Sequence, residues 1–181
     1  MTAARYATPP GPTGPPPARF ANLTTPADKS PLRLLAGLTS VSFTWSGDRW
    51  QHAVAAADGR RWLSIEGAVP AGADPRWPAS PVLVEVSLVM AGSRPAVLGV
   101  GLAGRSHFSL SVVACPDRPD TLLFEAACRI AEPAGWLGST YDGDGGRERV
   151  AADRTIPPPA TVRWSYRMGP AGLEPLPGSG S

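Results

Sequence analysis

One lysine, Lys29, stands against sixteen arginines in this chain, and histidine and cysteine occur only twice each. Two distant histidines and two distant cysteines offer no ligand cluster of recognised spacing, so neither a metal nor a cofactor is expected. A clustered basic stripe is missing as well. Acids and bases are interspersed around a net charge of +2, with Arg60-Arg61 and the Arg147/Arg149 pair as local exceptions, which argues against nucleic acid as a partner. Long hydrophobic runs are absent. The longest, from Val82 to Met90, is broken by Glu85 and Ser87 and falls well short of a membrane span. The opening MTAARYATPP has no apolar stretch behind its first arginine and so does not read as a secretory signal, although removal of a leader before Met1 is left open. The expectation is a soluble, cytoplasmic protein with no membrane partner. Cys115 and Cys128 fall near opposite ends of neighbouring strands and on opposite faces, which argues against a mutual disulfide and agrees with a reducing compartment.

Helical periodicity is the last thing lacking, and what replaces it is informative. Alternating stretches bounded by Gly, Pro and Asp recur about every ten residues. They predict strands near 40–46, 49–57, 60–67, 81–90, 96–103, 106–115, 121–130, 136–141 and 161–168. Short turns between them imply sequential antiparallel pairing. The fold class is therefore all-β: an antiparallel up-and-down meander of eight or nine strands, barrel-like or a two-sheet sandwich, with the barrel-like form slightly preferred. Proline supplies the boundaries. PPGPTGPPP at 9–17 has nothing to bury, so 1–31 is read as a disordered arm, 32–168 as a single β domain and 169–181 as a flexible tail. PxxP spacing at Pro9/Pro12 and Pro12/Pro15 lacks an arginine two residues on, and a plain linker is preferred to a docking motif. Two longer connections, 68–81 and 142–159, are read as functional or mobile loops.

Two turns let registers be calculated. Gly47-Asp48 and Asp58-Gly59 each suit a two-residue hairpin loop. The first pairs Phe43 with His52 and Trp45 with Trp50; the second pairs Val54 with Leu63 and His52 with Ile65. One face then carries Val41, Val54, Leu63, Phe43, His52 and Ile65, which must be the core side. His52 is accordingly expected to be a buried, neutral core histidine rather than a ligand or base. A three-residue loop in place of Gly47-Asp48 would shift the register by one and turn the following strand over.

The opposite face collects Thr44, Gln51, Glu66 and Trp62. An accessible indole beside amide and carboxylate groups can stack on a sugar or another planar ligand, so these four residues form the expected binding site. Cover of Trp62 by other parts of the chain is the competing expectation. The leading functional expectation is a non-catalytic binding domain for a small molecule, glycan or protein partner. The alternatives are a hydrolase using strand-borne Glu66, Glu85, His107 or Glu125, which requires at least two of them to converge, and a structural subunit that self-associates. His107 shares a face with Ser109 and Ser111, but no GxSxG elbow supports a nucleophile there. DGDGGR at 142–147 starts like a calcium loop, yet Gly146 and Arg147 occupy positions that need a ligand and a glycine, so a mobile loop is preferred.

Overall fold

The computed structural model describes residues 21–24 (backbone only), 29–66, 77–152 and 156–177. Most of the arm, the centre of the 68–81 connection and the end of the tail lie outside the described residues. Thirteen strands follow in chain order: β1 (Ala21–Thr24), β2 (Leu32–Ala36), β3 (Thr39–Trp45), β4 (Trp50–Ala55), β5 (Arg61–Ser64), β6 (Glu85–Ala91), β7 (Arg94–Ala103), β8 (Ser106–Ala114), β9 (Leu122–Ile130), β10 (Gly138–Gly143), β11 (Gly146–Ala151), β12 (Ala160–Gly169) and β13 (Gly172–Leu176). They form a seven-stranded sheet in the order β1-β6-β7-β8-β9-β12-β13 and a six-stranded sheet in the order β11-β10-β5-β4-β3-β2. All pairings are antiparallel.

The two sheets pack as a sandwich, and the barrel-like closure is not formed. Sequential pairing holds within β2–β5 and β6–β9, but β10 returns to β5 and β12 returns to β9. Each return moves the chain between sheets, which a simple meander does not require. Four strands stand in stretches read as arm, tail or loop, or at the margin of the arm, and the first of them, β1, pairs with β6 inside the expected disordered arm. β13 pairs with β12 inside the expected tail, β11 fills the glycine-rich connection, and β2 forms immediately after Pro31. Residues Asp144 and Gly145 are the two-residue loop between β10 and β11, since Gly143 pairs with Gly146. The DGDGGR stretch is thus a tight hairpin rather than a mobile loop.

The first calculated register is observed: Phe43 opposes His52 and Trp45 opposes Trp50. The second is displaced by one residue, with Val54 opposite Trp62 and Ala53 opposite Leu63. Ala56 N–H donates to the Arg60 carbonyl at 2.9 Å and Gly59 N–H to the Ala56 carbonyl at 3.0 Å, so the loop holds three residues, Ala57-Asp58-Gly59. Gly59 has φ of 91°, the left-handed position that closes such loops. An Asp-Gly pair serves either loop length. The slip turns every β5 side chain over: Trp62 becomes core at 3% exposure while Leu63 is 45% exposed.

The core is built from Val41, Phe43, Trp50, Val54 and Trp62 facing Val97, Leu110, Val112, Phe124 and Tyr166. Gly101 shows how tightly one chain crossing is seated. A Cβ there would lie 2.1 Å from the Val82 carbonyl oxygen, because residues 82–84 pass between the sheets over this point. The glycine therefore serves the crossing segment, beyond making room for Phe108 directly opposite.

Candidate functional site

Turning β5 over brings polar side chains inward at the end of the six-stranded sheet. Ser64 lands beside His52, its Oγ accepting the His52 backbone N–H at 2.9 Å and its hydroxyl donating to Glu66 Oε1. Glu66 is 5% exposed, and burial pushes its carboxyl up to about 7 against the opposing hydrogen bond from Ser64. His52 is 3% exposed and pushed down to about 3 by burial alone, so the imidazole is neutral. Its ring stacks on Phe43 and Phe124 with centroids at 5.2 and 5.9 Å. The expected core histidine is what the structure contains, with Ser64 rather than Ile65 as its neighbour.

A chain of hydroxyls continues from it. His52 Nε2 lies 2.8 Å from the Tyr141 hydroxyl, which lies 2.7 Å from that of Tyr166. Burial, and then the neighbouring Tyr166, raise the Tyr141 hydroxyl well above its ordinary value. His52 Nδ1 has no hydrogen-bond partner among the described residues and stands 3.9 Å from Glu66 Oε1. With a neutral ring this approach is not an ion pair. Ser64, Tyr141 and Tyr166 were not singled out from sequence. A tyrosine hydroxyl within an apolar strand row always needs a partner, but the partner here comes from the other sheet.

The expected site separates. Thr44 is exposed and Trp62 is buried, its indole N–H donating to Glu148 Oε1 at 2.7 Å. Gly143 leaves the room for that indole: a Cβ there would meet Trp62 Cδ1 at 2.9 Å. Trp62 therefore cannot serve as a stacking platform. Only Gln51 and Glu66 line a common cleft, of about 470 Å³, with Ser46, Arg49, Leu63 and Asp142 around them. The Gln51 amide N–H donates to the Ser64 carbonyl at 3.0 Å.

A second concave surface lies on the outer face of the seven-stranded sheet. Pairing registers align Glu85, Val100, Ser109, Ala127 and Arg163 across five strands, with Leu102, His107, Arg129 and Thr161 in the adjoining row. Two depressions of about 480 and 410 Å³ share Val100, Ser109, Ala127 and Arg163 and so form one trough. Val100 and Leu102 are 47% and 50% exposed. Arg129 and Arg163 are exposed and have no ion-pair partner among the described residues.

No family model, curated protein or solved structure matches this chain. The site must be read from its own chemistry.

Of the four expected hydrolase residues, Glu85 and His107 share a depression and the other two stand apart. Glu85 and His107 border the first depression and Glu125 the second, while Glu66 belongs to the other sheet. Glu85 and Glu125 stand three strands apart, about 14 Å at the usual strand spacing and too far for a paired-carboxylate mechanism. Ser64 donates to Glu66 rather than to an imidazole, and His52 Nε2 is already engaged by Tyr141, so Ser64 and His52 do not form a nucleophile–base pair. Among the described residues, no group of acids, histidines and cysteines could hold a metal ion, and no helix is long and apolar enough to cross a membrane.

Proposed function

We propose that this protein is a non-catalytic binding domain that holds a protein partner on the outer trough of its seven-stranded sheet. The observation that carries the reading is the pair of arginines without an ion-pair partner among the described residues, Arg129 and Arg163, beside the exposed Val100 and Leu102 on one continuous concave face. Small molecules favour enclosed pockets that bury most of their surface, whereas this trough is broad and open. Exposed apolar side chains flanked by arginine are typical of surfaces that recognise proteins. The partner's complementary segment carries an acidic side chain, which a guanidinium can take in two parallel hydrogen bonds. A cytoplasmic setting fits the two free, buried thiols of Cys115 and Cys128.

The test is photo-crosslinking from a benzophenone side chain placed at Ser109, with the same group at Thr44 as a control on the other sheet. The reading expects an adduct specific to position 109 that disappears when Arg129 and Arg163 are both replaced by Glu, with circular dichroism unchanged. An adduct that survives the double charge reversal, or equal labelling from both positions, would refute it. Light scattering separates this reading from self-association, which requires a dimer at micromolar concentration.

A further inference from the structure

The cleft on the six-stranded sheet carries an independent message. Its available polar atoms are mostly acceptors. The Glu66 carboxyl lies at its floor, Gln51 keeps its carbonyl oxygen free because its amide N–H is committed to Ser64, and Ser46 stands at the rim, where Asp142 is already paired with Arg147. The cation nearest Glu66 is not available to its carboxyl. Arg49 is held at 2.6 Å by Asp48 and donates to the Glu66 backbone carbonyl at 3.1 Å, leaving the Glu66 carboxyl without a cationic side chain in contact. Leu63, 45% exposed, and Ile65 provide an apolar flank.

A second feature marks the same place. His52 Nδ1, on a side chain only 3% exposed, has no hydrogen-bond partner and faces the Glu66 carboxyl at 3.9 Å. In the tautomer in which the Tyr141 hydroxyl donates to Nε2, the ring proton lies on Nδ1, facing a carboxyl that, while protonated, is a poor acceptor. A buried donor without a partner is costly. Ionising Glu66 would supply the missing acceptor, and an external cation is what would ionise it.

We propose that this cleft binds the ammonium group of a primary alkylamine, the ammonium lying over Glu66 and the alkyl chain along Leu63 and Ile65. The three N–H donors of the ammonium match Glu66, Gln51 and a rim acceptor, and binding displaces the carboxyl proton to solvent. Every group facing Glu66 is consistent with this exchange: Gln51 and Ser64 donate hydrogen bonds, Arg49 adds a favourable charge, and Tyr141 and Tyr166 stay neutral because burial raises both hydroxyls. Burial holds the Glu66 carboxyl near 7, so a proton remains on it to be released below neutrality. The same ammonium chemistry occurs in a free alkylamine and in a lysine side chain.

Isothermal titration of the full chain with n-pentylamine, 1-pentanol and N-acetyl-lysine methylamide tests the inference, run at pH 6 in two buffers of different ionisation enthalpy. Saturable binding of n-pentylamine, at least tenfold tighter than 1-pentanol and with release approaching one proton, is expected. Glu66→Gln, which keeps the shape of the protonated carboxyl, should weaken amine binding at least tenfold and abolish proton release. Tighter binding of the lysine compound would identify a protein side chain as the source, and tighter binding of pentylamine a free amine. Equal binding of amine and alcohol, amine binding without proton release, or no binding of either amine by the wild-type chain would overturn the proposal.

Discussion

Two turns flank β4, and they differ by one residue. Gly47-Asp48 closes the hairpin to β3 with two residues, and β3 and β4 meet in rows that keep Val41, Phe43 and His52 inside. Ala57-Asp58-Gly59 closes the hairpin to β5 with three, and the same inner face continues as Trp62, Ser64 and Glu66. Hydrophobic alternation alone would put Leu63 and Ile65 inside. The molecule instead buries one indole and two polar groups, because the indole fills the space left by Gly143 and the polar groups find Tyr141, His52 and each other. One residue in a loop thus decides whether this end of the sandwich is dry or carries ionisable groups.

The sharpest way to break the comparison is at Trp62. Trp62→Ala should cost about 3–5 kcal/mol in urea unfolding, whereas Leu63→Ala, on the exposed side, should cost less than about 1 kcal/mol. Reversed magnitudes would mean the two-residue register. Next in size is the pH dependence of Glu66. Its carboxyl ionises near 4.5 when unfolded and near 7 when folded, so between these values the folded state holds more protons. Stability should fall as pH rises through this window and level off above it, by roughly 3 kcal/mol in all. Glu66→Gln should flatten that slope, and denaturation curves from pH 4.5 to 8 will show whether it does.

His52 provides the opposite slope. Its folded value is about 3 against 6.5, so the contribution of the neutral ring is complete above pH 6.5 and is lost as pH falls toward 3. His52→Leu should remove that acid loss at a cost of about 1–2 kcal/mol at pH 7, since the Tyr141 hydroxyl loses its imidazole hydrogen-bond partner. NMR of the wild type should find no titration of the His52 imidazole above pH 4. The smallest effect belongs to the turn itself. Nothing lies within 4 Å of a Cβ at Gly59, so Gly59→Ala should cost only the left-handed backbone strain, about 1–2 kcal/mol in urea unfolding.

Much of the fold could be read in advance because local patterns carry it. The β3–β4 register follows from its turn alone, and His52 is core as the β3 pairing requires. The β4–β5 register was not legible, since Asp-Gly fits both loop lengths and only the distant Gly143 distinguishes them. β11 escaped because Arg-Glu-Arg masks its alternation, and β13 because Gly172 and Pro175 read as tail. At the cleft, Gln51 and Glu66 were selected as neighbours across a polar face. They do meet, but Glu66 does so from the inner side, at a strand end. Tyr141 and Tyr166 come together through pairings with β5 and β9, which a single sequence does not encode locally.

The segment over Gly101 has a mechanical consequence. Trp50 N–H donates to the Leu83 carbonyl at 2.8 Å, and Val84 N–H donates to the Val100 carbonyl at 2.9 Å, so two consecutive residues, Leu83 and Val84, are hydrogen-bonded one to each sheet. Sandwich layers normally adhere through side chains alone, and this backbone clasp ties them where slippage would otherwise be cheapest. The Trp50 and Val84 amides should therefore exchange with solvent in a single step, at a rate set by global unfolding rather than by the opening of either sheet.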